Sequence, residues 1–174
     1  MSRRWRVWGL ALALSYATAG IGGALTELGP WYYALQQPGW KPPDVAFGAI
    51  WSVIFTLCAI SAALAWEAAD SATRRRRVLM LFGLNAGLNI AWSGLYFGLQ
   101  RPDWALVEVV ALWLSILALL RGLWPISRWA SVLHLPYLAW VTAAAFLNLA
   151  TVQLNGPFGP VAQSAPLGQL ALLS

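Results

Sequence analysis

The sequence contains very little charge for its length. Only 10% of the 174 residues are Asp, Glu, Lys or Arg, against about 25% in an average soluble domain. A water-exposed surface needs about 25–35% charged positions, so this composition excludes an ordinary soluble domain. Because 60% of the residues are hydrophobic, the chain is predicted to be an integral membrane protein.

Cysteine and histidine are almost absent. Cys58 is the only cysteine, which excludes an intrachain disulfide, and His134 is the only histidine. There is no phosphate loop and no G-x-S-x-G motif, and a Ser-His-Asp arrangement would depend on one histidine beside a membrane. We therefore expect no metal site, no required cofactor and no conventional catalytic centre.

Basic residues outnumber acidic ones, giving a net charge of +5. The arginines lie at the ends of apolar segments, whereas nucleic-acid binding needs a basic face on a soluble module. No nucleic-acid partner is predicted.

The long apolar runs are what the sequence has in abundance. Each has the length of a membrane-spanning helix, and none shows the alternation of a membrane β-strand. The prediction is an all-α bundle of five spans, at about 5–25, 45–66, 78–99, 104–123 and 129–154. These form one domain over residues 1–154, followed by a loosely ordered tail at 155–174.

The distribution of Lys and Arg predicts the orientation in an inner or plasma membrane, because cytoplasmic loops hold the excess. One side holds Lys41 and Arg101 only, and the other holds nine arginines: Arg3, Arg4, Arg6, Arg74, Arg75, Arg76, Arg77, Arg121 and Arg128. The amino terminus is predicted to be cytoplasmic and the carboxyl terminus outside. In an outer membrane, this distribution of Lys and Arg would not predict the orientation.

The amino-terminal segment has two interpretations. Its basic start, apolar stretch and small residues at 17–19 resemble a cleavable signal peptide. Against this, Ala11, Ser15, Ala19 and Gly23 recur every fourth residue, a pattern that favours a retained, closely packed helix.

The third span carries two distinct faces. At 100° per residue, a polar and aromatic stripe lies on one side: Asn85, Asn89, Trp92 and Tyr96. Small residues lie opposite: Gly83, Gly87, Ala91, Gly94 and Gly98. Small-xxx-small patterns allow close helix contact in lipid, so we predict a homodimer through this face, with packing inside one chain as the alternative.

Aromatic faces recur on two other spans. Phe47, Trp51, Phe55 and Cys58 share one face of the second span, and the fifth span repeats the pattern with Tyr137, Trp140, Ala144 and Asn148. Large flat side chains with a few polar atoms are typical of a pocket for a flat apolar ligand. Simple aromatic packing, with the asparagines as interhelical hydrogen bonds, is the alternative.

The loop after the first span is unusually aromatic and is restricted by proline. We predict a semi-rigid lid over the bundle, in which Tyr32 and Trp40 touch a ligand; the alternative is an interfacial aromatic belt. The predicted lid residues are Trp31, Tyr32, Trp40, Pro42 and Pro43.

Three motifs carry a family resemblance along most of the chain. They are WYYALQQPGWKPPDVAFGAIW at 31–51, NIAWSGLYFG at 89–98 with WALVE at 104–108, and LPYLAW at 135–140 with LN at 147–148. Together they resemble the TspO/MBR family of tryptophan-rich sensory proteins, which includes the translocator protein, or peripheral-type benzodiazepine receptor. The resemblance implies a five-helix fold.

The resemblance also implies a pocket that binds porphyrins such as protoporphyrin IX and haem, with regulatory or carrier roles. The family's pocket positions fall here on Tyr32, Trp40, Trp51, Asn89, Trp92, Trp104, Glu108, Trp140 and Ala144. Trp51 and Trp140 correspond to tryptophans linked, in bacterial members, to light-dependent porphyrin breakdown. An enzyme of that kind and a transporter of tetrapyrroles or sterol-like lipids are the alternative functions; the second is weaker because no inverted repeat is visible.

Four positions qualify this prediction. Phe55 stands where many relatives carry tyrosine, and the end of the fifth span lacks the Tyr and Lys or Arg of the eukaryotic sterol motif. Glu108 is a functional candidate as an intramembrane carboxylate, with snorkelling to the interface as the alternative. His134, which could be proposed as a haem ligand, is predicted instead to be an interfacial residue.

Overall fold

The computed structural model describes residues 3–159 of the chain. All regular structure in this range is helical. The helices are α1 (Arg3–Leu25), α2 (Pro30–Ala34), α3 (Asp44–Ala68), α4 (Ala72–Ser93), α5 (Pro102–Leu123), α6 (Arg128–Val132) and α7 (Leu135–Asn155), and a π-helical turn, Gly94–Gly98, continues α4. Most of the predicted tail, residues 160–174, lies outside the described residues; Asn155 ends α7.

Five helical segments of the described chain are long and apolar enough to cross a bilayer. They are α1, α3, α4 with its π turn, α5, and α6 with α7. Each overlaps one predicted span, so the predicted all-α bundle of five membrane-spanning helices is confirmed.

The fifth span is broken between α6 and α7. Pro136 lies in the first turn of α7, where it has no N–H to donate to the preceding turn and therefore interrupts the helix. His134 lies at this break and is fully buried. Its Nδ1 lies 3.1 Å from the carbonyl oxygen of Ala130, and its ring lies 5.5 Å from that of Phe82. His134 is therefore a core residue and not the predicted interfacial one.

The most deeply buried helix is α5. One side of it forms an apolar core with α3 and α7, made of Ile54, Val109, Leu112, Ile116, Tyr137 and Val141. Polar side chains also join the helices: Asn85 of α4 donates to Ser115 Oγ at 2.8 Å. The interhelical role considered for the asparagines is thus present at Asn85.

Helix α1 lies at the edge of the bundle, against α3 and α4. Ser15 Oγ donates to the carbonyl oxygen of Phe55 at 2.7 Å. A Cβ on Gly22 would lie 3.5 Å from Ser93 Oγ, so this glycine permits a close approach to α4. Residues of α1 also line two cavities, one toward each end of the helix.

A candidate ligand-binding cavity

The first cavity, which we call the loop-side cavity, has a volume of about 480 Å³. It lies among α1, α3, α4, the π turn and α7, below the loop that contains α2. This volume falls within the range of about 300–1,000 Å³ typical of small-molecule sites. Eight of the predicted ligand-binding residues line it: Tyr32, Trp51, Phe55, Asn89, Trp92, Trp140, Ala144 and Asn148.

Three predicted ligand-binding residues do not line the loop-side cavity. Trp40 is 56% exposed, and Trp104 is 51% exposed. The Trp104 ring lies 4.2 Å from the Arg101 guanidinium. Glu108, like Trp104, belongs to α5, which packs behind α4 and α7 and contributes none of the described residues that line the cavity.

The aromatic side chains around the cavity contact one another in pairs. Trp51 stacks on Phe55 with ring centroids 5.5 Å apart. Trp92 stacks on Tyr96 at 5.1 Å, and Trp140 meets the edge of Phe47 at 5.4 Å. Three helices therefore present flat apolar surfaces to one space, which suits a planar ligand.

Two kinds of polar group lie among these rings. Asn89 Nδ2 donates to the Tyr137 hydroxyl at 3.1 Å, so its amide already has a partner. In contrast, Gln37 Nε2, Trp92 Nε1 and Trp140 Nε1 are buried without a hydrogen-bond partner in the described chain. All three belong to residues that line the cavity. An unpaired buried donor costs about 1–3 kcal/mol, and these three N–H groups expose almost no surface to the cavity.

The loop is fastened to the bundle at two places. The Tyr32 hydroxyl donates to Asp44 Oδ1 at 2.8 Å, and Lys41 Nζ donates to the same carboxylate. Asn155 at the end of α7 holds the backbone of Gln36. Among the described residues of the predicted lid, Tyr32 alone lines the cavity; Trp31 packs on Tyr96 at 6.2 Å.

Two groups of the loop keep their protons to high pH. Burial raises the pKa of Tyr32 to about 12, more than its hydrogen bond with Lys41 lowers it. Burial disfavours the Lys41 ammonium, but hydrogen bonds to Asp44 and Tyr32 outweigh this effect and raise the pKa of Lys41. At neutral pH the loop end of the cavity therefore has one cation, Lys41, paired with the Asp44 carboxylate that also lines the cavity.

Comparison with known proteins decides the family. The model of the TspO/MBR family matches residues 10–154. The chain belongs to the TspO/MBR family. It is 34% identical to the tryptophan-rich protein TspO of Chlorobaculum tepidum, over 84% of this chain and 92% of that protein. It is 31% identical to the tryptophan-rich sensory protein of Cereibacter sphaeroides, over 89% of this chain and 95% of that protein. It is also 31% identical to the human translocator protein, over 68% of this chain and 70% of that protein.

Sequence reasoning missed several wall residues of this TspO/MBR protein. Gln37, Lys41 and Asp44 come from the loop and the start of α3. The charged pair in K-P-P-D was a usable signal, because opposite charges three residues apart can pair. Six further residues come from α1 and its end: Tyr16, Ala19, Gly22, Gly23, Thr26 and Leu28. The small residues among them, Ala19, Gly22 and Gly23, predict close helix packing and give no sign of a cavity.

The predicted dimer face of this family member is largely uncovered in the described chain. A Cβ on Gly83, Gly87 or Gly98 would meet no atom within 4 Å, and Ala91 is exposed. Gly94 differs, since a Cβ there would lie 3.8 Å from Leu25 Cδ1. Gly94 therefore faces the end of α1 and not the uncovered side.

Proposed function

We propose that this TspO/MBR protein binds porphyrins such as protoporphyrin IX in the loop-side cavity, as a membrane receptor or carrier for tetrapyrroles. The observation that carries the proposal is that Trp51 and Trp140, on different helices, line one cavity that also contains Lys41. A porphyrin is flat and apolar and carries two carboxylates at one edge. Indole rings suit its faces, and a cation suits its carboxylates.

The unpartnered donors support the same ligand class. Trp92 Nε1, Trp140 Nε1 and Gln37 Nε2 have no partner in the described chain, and rotation of these side chains toward the cavity on binding would let porphyrin carboxylates accept from them. A sterol carries a single hydroxyl, which accepts at most two hydrogen bonds, and would leave at least one of these three groups unpaired. The chemistry of the cavity therefore favours a planar dicarboxylate over a sterol.

A titration with two related ligands tests this proposal. Protoporphyrin IX should quench the tryptophan fluorescence of the solubilised protein to saturation at one porphyrin per chain. Its dimethyl ester keeps the flat ring but loses the charge, and should bind about tenfold more weakly, since hydrogen bonds to charged groups contribute about 1.5–3 kcal/mol. If neither compound quenches the tryptophan fluorescence to saturation, porphyrin binding is contradicted.

A second candidate function is light-dependent porphyrin breakdown, which the joint position of Trp51 and Trp140 at the cavity favours. An indole beside an excited porphyrin is able to exchange an electron with it. Illumination in air should then remove the porphyrin absorption band and yield a new product faster than with denatured protein. Equal rates in native and denatured samples would leave binding as the function.

The membrane orientation and the oligomeric state complete the proposal. The arginine-rich helix ends are proposed to face the cytoplasm of an inner or plasma membrane, with the loop outside. A homodimer through Gly83, Gly87 and Ala91 is supported by their exposure, because small residues let two helices approach closely in lipid.

A further inference from the structure

A second cavity lies on the other side of Phe55 and Asn89, toward the arginine-rich ends of the helices. This arginine-side cavity has a volume of about 510 Å³ and lies among α1, α3 and α4. Its walls are almost entirely apolar. They include Val7, Leu10 and Leu14 of α1, with Trp66, Leu79 and Phe82 opposite.

The length of this cavity matches one lipid leaflet. Along α1 its walls run from Arg6 to Thr18, a distance of about 18 Å at 1.5 Å per residue. One leaflet contributes about half of the roughly 30 Å hydrocarbon core. The cavity is thus deep enough for an acyl chain that enters from the arginine side and ends near the middle of the bilayer.

Cations mark only one end of the cavity. Arg6 belongs to its wall, is exposed, and forms no ion pair within the described chain; the nearby Glu67 is taken by Arg4 at 3.3 Å and by Trp8 Nε1 at 2.9 Å. The Arg75 guanidinium lies 5.5 Å from the ring of Trp66, which lines the cavity. This end is therefore complementary to an anionic headgroup.

Arg75 and Arg77 occupy opposite sides of α4 with respect to this cavity. The residues of α4 that line the cavity lie on one face of the helix, and the middle of this face is near Phe82 and Ala86. At 100° per residue, Arg75 projects from this face, whereas Arg77 projects about 150° from its center. The arginine run thus supplies both a cavity-facing cation and a matched control.

We propose that the arginine-side cavity binds one acyl chain of an anionic phospholipid from the adjoining leaflet, with the headgroup held by Arg6 and Arg75. This site is separate from the porphyrin cavity. The two share the wall residues Phe55 and Asn89, and the lipid would pack against the face of that wall away from the porphyrin.

Native mass spectrometry of the full-length protein in detergent tests the proposal with two lipids of identical acyl chains. Wild type should retain one phosphatidylglycerol with an affinity about thirtyfold above that for phosphatidylcholine, because each of the two arginines near an anionic headgroup contributes about 1 kcal/mol. Arg6→Gln together with Arg75→Gln should remove this preference. Arg77→Gln should leave it intact.

A second pair of variants tests the acyl chain. Ala86→Phe and Ala62→Phe fill the cavity from α4 and from α3, and either should lower retention of both lipids at least tenfold while circular dichroism stays unchanged. Using both keeps the test valid if one variant folds poorly. Equal binding of the two lipids by wild type, an equal effect of Arg77→Gln, or full retention in the filled variants would each overturn the proposal.

Discussion

The side chain of Asn155 pairs with the backbone of Gln36 across 119 positions of sequence. Asn155 Oδ1 accepts the Gln36 N–H at 2.7 Å, and Asn155 Nδ2 donates to the Gln36 carbonyl oxygen at 2.9 Å. The last residue of α7 thereby holds the loop that covers the loop-side cavity. This pair is the second attachment of the loop, beside the hydrogen bonds of Tyr32 and Lys41 to Asp44.

Asn155→Ala should loosen the loop. Loss of two hydrogen bonds, each contributing about 0.5–1.5 kcal/mol, should speed amide exchange around Gln36 about tenfold. Hydrogen–deuterium exchange of the solubilised protein measures this, and porphyrin dissociation should accelerate in parallel. Gln153→Ala is the control, because Gln153 is exposed on the same last turn of α7. Unchanged exchange in Asn155→Ala would show that the pair does not hold the loop.

Lys41→Gln should weaken binding of protoporphyrin IX about tenfold, since it removes a charged hydrogen-bond donor. The dimethyl ester should bind wild type and Lys41→Gln equally, which separates lost charge from a displaced loop. Fluorescence titration measures both affinities. An equal loss for the ester would assign Lys41 a structural role only.

The pH dependence follows from the raised pKa of Lys41. A raised pKa extends the charged form upward from its usual limit near 10.5. We expect the contribution of Lys41 to porphyrin affinity, measured as the difference between wild type and Lys41→Gln, to stay constant from pH 7 to 9. It should disappear only as the pH rises above the raised pKa. A decline of this difference between pH 7 and 9 would contradict the assignment.

The number of spans and the aromatic faces of three helices are predictable from sequence, because hydropathy and a 3.6-residue period are local properties. Each of Trp51, Trp92 and Trp140 lies on such a face, and all three line the loop-side cavity. The position of α5 depends on tertiary packing, so the sequence could not show that Trp104 and Glu108 lie outside the lining of the loop-side cavity. Trp40 lies in a loop without a period, and no pattern indicates which way its ring points.

We expect Glu108 to lower the stability of the fold and to make no contact with the ligand. Both of its carboxylate oxygens are buried without a hydrogen-bond partner in the described chain. Glu108→Leu should therefore raise the free energy of unfolding by about 1–3 kcal/mol, with unchanged porphyrin affinity. Thermal unfolding and fluorescence titration measure the two effects, with the lipid-exposed Val107→Leu as control. Reduced porphyrin affinity in Glu108→Leu would show that this carboxylate contributes to ligand binding.

Gly87→Leu should convert the proposed dimer into single chains. A leucine on this exposed face prevents the close approach of two α4 helices, while no atom within 4 Å of its Cβ in the same chain obstructs it. Light scattering in detergent solution measures the mass. Gly9→Leu, at an equally open position of α1, should leave the dimer intact. A dimer that persists in Gly87→Leu would exclude this face.

The porphyrin affinity of the Trp51→Phe, Trp140→Phe double variant tests the central claim most directly. Trp5→Phe with Trp129→Phe is the matched control, because these rings are 69% and 76% exposed and line neither cavity. Absorbance titration with protoporphyrin IX should show severalfold lower affinity in the Trp51 and Trp140 variant, because each phenyl ring covers less of the porphyrin face than the indole it replaces and has no N–H to donate. Equal affinity in the two double variants would contradict a porphyrin site between these tryptophans.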